Sequence, residues 1–233
     1  MSHQKNAIHI GEYQVGLGYA DREQEIVERI HSRERRAWAY FAAAMNAAHL
    51  GDHERAEIEF TQGIALAEAV GERRVAALLR ANYAALQAEQ GANYSHDSVV
   101  GRALLDNALQ TARSNFQTEG GSSLLYSRFE SHRCLALVHF RRDELDEAER
   151  LCAAASAVVS DTESRVSKLW LGPLYMDVLL AAAKRFEHEN KHDEAAARLA
   201  LARELLAEYQ KLVAECHSPR FKQEAARLEQ ELK

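Results

Sequence analysis

Apolar residues recur every three or four positions through nearly all of the chain after Asp21, which is the period of one face of an α-helix. The clearest example is residues 192–213, where the apolar stripe consists of Ala195, Leu199, Ala202, Leu206, Tyr209 and Val213. Short polar breaks such as HLGDHE (49–54) and SDTES (160–164) separate the stripes and contain residues that cap helices. The pattern predicts an all-α protein of about nine helices joined by short turns, with no strand after residue 20.

The first 20 residues do not share this pattern. In AIHIGEYQVGLGYA (7–20), glycines interrupt an alternation of apolar and polar side chains. We therefore expect an irregular N-terminal segment over residues 1–20, followed by a single helical domain over residues 21–233. The segment is too apolar for an inert tail. Docking on the helical domain of the same chain, docking on a neighbouring copy and disorder are the alternatives.

A repeated layout runs through the helical part of the chain. Three stretches, GDHERAEIEF (51–60), DELDEAERLC (143–152) and NKHDEAAARL (190–199), each place an alanine shortly after a polar turn. These alanines are Ala56, Ala148 and Ala195, and the last two lie 47 residues apart, about half the distance between the first two. A further copy is expected near residue 102, with Ala103 or Leu105 in the alanine position. The chain therefore has a period of about 46 residues.

This layout resembles the tetratricopeptide repeat, a helix–turn–helix unit with small residues where its two helices cross. The first copy matches at Ala44, Gly51, Ala56, Phe60 and Gly63, the third at Ala136, Ala148, Cys152 and Ala155, and the fourth at Ala183, Ala195, Leu199 and Ala202. The period exceeds the family's usual ~34 residues, so the chain is similar to the long-helix variants of bacterial regulators and peptide-sensing proteins. The resemblance implies a right-handed α-solenoid of about four antiparallel helix pairs, with residues 218–233 as a C-terminal capping helix.

Composition narrows the classes of partner. The 233 residues are 47% hydrophobic and 27% charged, as in soluble globular proteins, and the net charge of −6 argues against nucleic acid as the main partner. No uncharged apolar run reaches the length of a membrane span, and the first ten residues lack the apolar core of a signal peptide. We expect a cytoplasmic protein that does not bind membranes. Whether it forms homo-oligomers stays open.

Candidate chemistry is sparse. The stretch HENKH (188–192) matches the zinc-binding pattern HExxH, which requires one continuous helix through both histidines. Here it falls on a turn between predicted helices, where the first copy places His49 and His53. We interpret His188 and His192 as turn residues, and a zinc hydrolase acting through them and Glu189 is a remote alternative. No other catalytic motif stands out, so we expect neither enzyme activity nor a cofactor.

The cysteines and two nearby histidines have a structural interpretation. Cys134, Cys152 and Cys216 lack metal-site spacing and are interpreted as buried free thiols in a reducing compartment. His132 and His139 flank Cys134, and a metal or thiol–imidazole site is the alternative to packing. The repeat register assigns both histidines to packing positions.

The resemblance also implies a binding surface, because the first helix of each repeat faces the concave side of the solenoid. Carried over by register, the groove residues are Trp38, Phe41, Met45, His49, Arg133, Leu137, Phe140, Arg141, Leu180, Lys184 and His188. Aromatic residues, methionine and arginine at such positions are typical of peptide recognition. We expect a non-enzymatic adaptor or scaffold that binds a protein or peptide. The alternative is a regulatory sensor for a signalling peptide or small effector.

Overall fold

The helical period of the sequence is realised throughout the computed structural model, which describes residues 12–95, 98–160, 164–216 and 218–233. These residues contain no strand, so the predicted all-α class is confirmed. They form ten helices where about nine were expected, namely α1 Tyr13–Arg29, α2 Arg33–Leu50, α3 His53–Ala69, α4 Arg73–Ala92, α5 Val99–Glu119, α6 Leu125–Arg141, α7 Leu145–Ser160, α8 Arg165–His188, α9 His192–Glu215 and α10 Pro219–Glu231.

Helix α1 corrects the prediction for the N-terminal segment. An irregular segment was expected up to residue 20, but the chain is helical from Tyr13. The glycines of this stretch lower helix propensity by about 1 kcal/mol each relative to alanine, and tertiary packing outweighs that cost. Leu17 and Ala20 are buried against α2, and Gly16 leaves space that Asn46 fills. Residues 1–11 lie outside the described residues.

The helices are arranged as one row with partners packed against it. Contacts are most extensive within the pairs α2–α3, α4–α5, α6–α7 and α8–α9. Helices α2, α4, α6, α8 and α10 also contact one another in that order, so they form a continuous row. Short turns connect neighbours, and Gly51 and Gly71 end α2 and α3 with φ of 78° and 75°, which glycine adopts without a steric cost.

Small residues lie where paired helices meet, as the repeat predicted. Ala136 on α6 and Ala148, Cys152 and Ala155 on α7 are all 0% exposed and belong to one core cluster. A Cβ atom added to Gly63 of α3 would lie 2.8 Å from the Cβ of Tyr40 on α2. Close approach of the helix axes therefore depends on the small size of these residues.

A leucine in place of Ala148 is expected to destabilise the fold by about 1–3 kcal/mol, because the α6–α7 contact has no room for three further carbon atoms. Urea denaturation of the variant measures this loss. Ala153→Leu on the exposed side of the same helix is the control and should change the free energy of unfolding by less than about 0.5 kcal/mol. Equal losses in both variants would contradict the packing explanation.

Helix α8 is long and apolar enough to span a membrane, judged by length and composition alone. However, 56% of its most apolar 18-residue stretch is buried inside the structure, and a core helix of a soluble protein can have the same length and composition. Pro173 lies within this helix and donates no N–H to the Leu169 carbonyl. The N-terminal half of α8 faces the cavities described next.

Candidate ligand-binding site

Two adjoining cavities lie against the row of even-numbered helices. Cavity A has a volume of about 260 Å³ and cavity B of about 420 Å³. They share four lining residues, Met45, Asn82, Arg133 and Trp170, which come from α2, α4, α6 and α8. The two cavities are therefore adjacent compartments of one site.

Cavity A is mainly apolar and aromatic. Besides the shared residues, its wall consists of Trp38, Phe41, Arg74, Leu78, Tyr126, Glu130, Ser164, Val166 and Ser167. Trp38 and Phe41 meet edge to face with ring centroids 6.1 Å apart, and the Arg74 guanidinium lies 5.7 Å from the Trp38 ring centroid. The Tyr126 hydroxyl is neutral at physiological pH, since even the ordinary tyrosine pKa is about 10 and burial raises the pKa of this residue further. This wall suits an apolar or aromatic group.

Cavity B has more charged residues in its wall than cavity A and also receives residues from α10. Its wall includes His49 and His53, Glu89 and Arg141, Phe140, Pro173, Asp177, Arg220, Phe221 and Glu224. Arg141 pairs with Glu89 at 2.9 Å, and Arg227 holds both Asp177 at 2.9 Å and Glu224 at 2.6 Å. These pairs fix the charged side chains around the cavity.

A buried ion pair stands between the two cavities. The Arg133 Nη2 atom donates to the Glu130 carboxylate at 2.8 Å and to the Asn82 side-chain oxygen at 3.1 Å. The side chains of Arg133 and Glu130 are only 12% and 6% exposed. Beside them, burial raises the pKa of Cys134 to about 12, so this thiol is protonated and a poor nucleophile.

An aromatic clasp, defined here as Tyr13, His49, Trp170 and Arg220, closes one side of cavity B. His49 stacks on Tyr13 and on Trp170, with ring centroids 4.5 and 5.3 Å apart. The Arg220 guanidinium lies 4.4 Å from the Trp170 ring centroid and donates to the Tyr13 hydroxyl. The clasp therefore connects α1 and α2 at one end of the chain with α8 and α10 at the other.

His49 is electrically neutral in this clasp. Burial first, and then the charges of Arg220 and Arg133, lower its pKa to about 3. Its Nε2 atom is buried and has no hydrogen-bond partner among the described residues. This nitrogen is therefore a buried polar atom whose hydrogen-bonding capacity is unsatisfied within the described residues.

The structure gathers eight of the eleven predicted groove residues around the two cavities. Trp38, Phe41 and Met45 line cavity A, and Met45, His49, Arg133, Leu137, Phe140 and Arg141 line cavity B. Leu180, Lys184 and His188 line neither cavity. Leu180 is 4% exposed in the core, and Lys184 and His188 face solvent. Helix α8 begins at Arg165, and its residues that line the cavities lie between Val166 and Asp177.

Several lining residues escaped the sequence-based prediction. Arg74 lies one helical turn before Leu78, and Tyr126 lies one turn before Glu130, which both line cavity A. This four-residue spacing is a signal that could have identified them. Trp170 and Arg220 had no such signal, because their partners in the clasp are distant in sequence.

The HENKH stretch is not one helix. His188 ends α8, Asn190 has a φ of 59° and His192 begins α9, so the predicted turn is confirmed. His192 pairs with Glu187 at 2.8 Å. Across the described ranges, no three His, Cys, Asp or Glu side chains are grouped so that they could hold a metal ion.

The other candidate histidines lie in packing positions, as predicted. His139 is 2% exposed and contacts Glu144, whereas His132 is half-buried against Phe116 with ring centroids 4.8 Å apart. Burial lowers the pKa of His132. Cys134 and Cys152 are buried free thiols, and Cys216 is half-buried.

Comparison with known proteins does not indicate a function, so the function has to be inferred from the site itself. No model of a known protein family matches this chain. A search of curated proteins found no match either. The resemblance to the tetratricopeptide repeat therefore depends on the small-residue positions and their period.

Proposed function

We propose that this protein is a non-enzymatic binding protein that holds an extended peptide segment of a protein partner in cavities A and B. The proposed architecture is a right-handed, tetratricopeptide-like solenoid of about four helix pairs capped by α10. The observation that carries the proposal is the continuous site along α2, α4, α6 and α8, whose shared wall combines Met45, Trp170 and Arg133.

The chemistry of the wall supports peptide binding. Tryptophan, tyrosine and arginine supply most of the binding energy at protein interfaces, and cavity A contains each of these types. The lining residues project from packed helices, so little conformational entropy is lost when a ligand binds. The proposal needs no cofactor and places the protein in the cytoplasm without a role in binding nucleic acid or membranes.

The dimensions favour an extended segment over a helix. Cavities of about 260 and 420 Å³ lie near the lower end of the range for small-ligand sites, roughly 300–1,000 Å³. A helix with its side chains is about 10–12 Å wide and would need the clasp to open. One or two side chains of an extended peptide suit each compartment.

A regulatory sensor is the second candidate, and the aromatic clasp is the observation that favours it. His49 of α2 and Trp170 of α8 both line cavity B and contact each other. A peptide or small effector that touches both would favour one spacing of α2 and α8 over another. The ligand stabilises the folded protein in either case, and an adaptor differs from a sensor because it binds a second partner while it holds the peptide.

Selection from a random peptide library, followed by calorimetric titration, tests the proposal. Phe41→Ala should weaken binding of a selected peptide by at least about 30-fold, because the change removes an aromatic contact worth about 2 kcal/mol. Lys184→Ala is the matched control on α8, because this exposed residue lines neither cavity. Failure to select any peptide, or equal affinities of the two variants, would contradict the proposal.

A further inference from the structure

We infer that cavity A selects a ligand group that combines an apolar or aromatic body with a negative charge. This inference rests on the proposed function and specifies the chemistry of the ligand. It departs from the charge of the whole protein, which is −6 and would by itself disfavour an acidic ligand.

In the part of the chain that the structure describes, the charged residues around cavity A leave one positive charge without a carboxylate partner. Its charged lining residues are Arg74, Glu130 and Arg133. Glu130 is bound by Arg133 at 2.8 Å, so these two charges compensate each other. Within the described residues, Arg74 forms no ion pair with a carboxylate, and its guanidinium lies over the Trp38 ring. One positive charge is therefore left for a ligand at the edge of the cavity.

Three helices have their N-terminal ends at cavity A. Arg74 and Tyr126 are each the second residue of their helix, in α4 and α6, and Ser164 is the N-cap of α8. Cavity A therefore lies next to the positive ends of three helix dipoles. The same ends of these helices would repel a cationic ligand.

The apolar wall of cavity A places aromatic rings beside the positive charge of Arg74. Trp38, Phe41 and Trp170 surround the space next to Arg74, and Tyr126 adds a neutral hydroxyl. A cation beside an aromatic wall suits a ligand whose ring is buried and whose carboxylate stays near the opening. The chemistry is shared by an aromatic acid and by a peptide with an aromatic residue next to an acidic one.

Matched probes separate the charge from the ring. Indole-3-acetate and its neutral amide test the free aromatic acid, and acetyl-Glu-Trp-Glu-amide and acetyl-Gln-Trp-Gln-amide test the peptide. For one of these pairs, calorimetric titration should show the anionic probe binding about tenfold more tightly than the neutral one, since a charge-assisted hydrogen bond contributes that much. The pair that shows the preference identifies the source of the ligand.

The preference should depend on Arg74. In Arg74→Gln it should fall below about threefold, whereas Arg73→Gln, a change at the neighbouring exposed residue that lines neither cavity, should leave it intact. Phe41→Ala should weaken both members of the pair, which shows that they occupy cavity A. Raising the salt concentration should reduce the preference.

Three results would overturn the inference. If neutral and anionic probes bind equally and both are lost in Phe41→Ala, the cavity binds ligands but does not select charge, and the proposed function survives. If only a variant without residues 1–11 binds, and binds both probes alike, the occupant is the chain's own N-terminal segment. If no probe binds while library peptides do, the site recognises a different chemistry.

Discussion

Replacing Glu130 with alanine is expected to lower the free energy of unfolding by about 3–5 kcal/mol, because the change leaves the buried Arg133 guanidinium without its carboxylate. Arg133 would keep only its hydrogen bonds to Asn82 and the Cys134 sulfur among the described contacts. Urea denaturation at neutral pH measures this loss.

A surface pair with the same spacing provides the control. Arg150 and Glu147 on α7 also stand three residues apart and pair, but their side chains are 59% and 40% exposed. Glu147→Ala should therefore cost less than about 1 kcal/mol. A loss for Glu130→Ala as small as that for Glu147→Ala would show that Arg133 does not depend on this carboxylate in the folded protein.

Acidification is expected to destabilise the protein through His49. The unfolded chain takes up a proton on this residue below its ordinary pKa of 6.5, whereas the folded state, with a pKa of about 3, does not. Stability should therefore fall as the pH drops below 6.5, by roughly 2–3 kcal/mol from pH 7 to pH 4.5. Above pH 7 this contribution to the pH dependence vanishes.

The comparison with His49→Phe isolates the effect, because phenylalanine keeps a ring in the aromatic clasp and cannot titrate. Burial raises the pKa values of Glu59 and Asp177, and these groups act in the opposite direction in both proteins. The difference between the two denaturation series should show the loss at low pH. His188→Gln, at an exposed turn, should behave like the wild type. Parallel pH profiles for wild type and His49→Phe would contradict the burial of a neutral His49.

Much of the fold follows from local features of the sequence. The period of apolar residues predicts α2 to α10, and the polar turns predict where most of them end. Ala136, Ala148 and Cys152 indicated a close helix contact, because the small size of a side chain can be recognised from the sequence without knowledge of the fold. Helix α1 was missed because glycine lowers helix propensity, and only packing against α2 explains its formation.

The site was predictable only in part, because part of it depends on contacts between residues that are distant in the sequence. Phe41, Met45 and Arg133, which the repeat register assigned to the predicted groove, all line cavity A. The clasp depends on contacts between distant parts of the chain, since Tyr13 lies next to Arg220, 207 residues later. In α8 the repeat register indicated Leu180, which is buried in the core, whereas Trp170 lines both cavities.

The methionines offer the most direct test of the central claim that the two cavities form one binding site. Met45 lines both cavities, whereas Met176 is fully buried in the core and Met1 lies outside the described residues. In protein labelled with ¹³C at the methionine methyl groups, titration with a selected peptide should shift the Met45 signal with the Kd found by calorimetry and leave Met176 nearly unchanged. Met45→Leu assigns the signal. A peptide that binds by calorimetry while the Met45 signal stays in place would contradict the account.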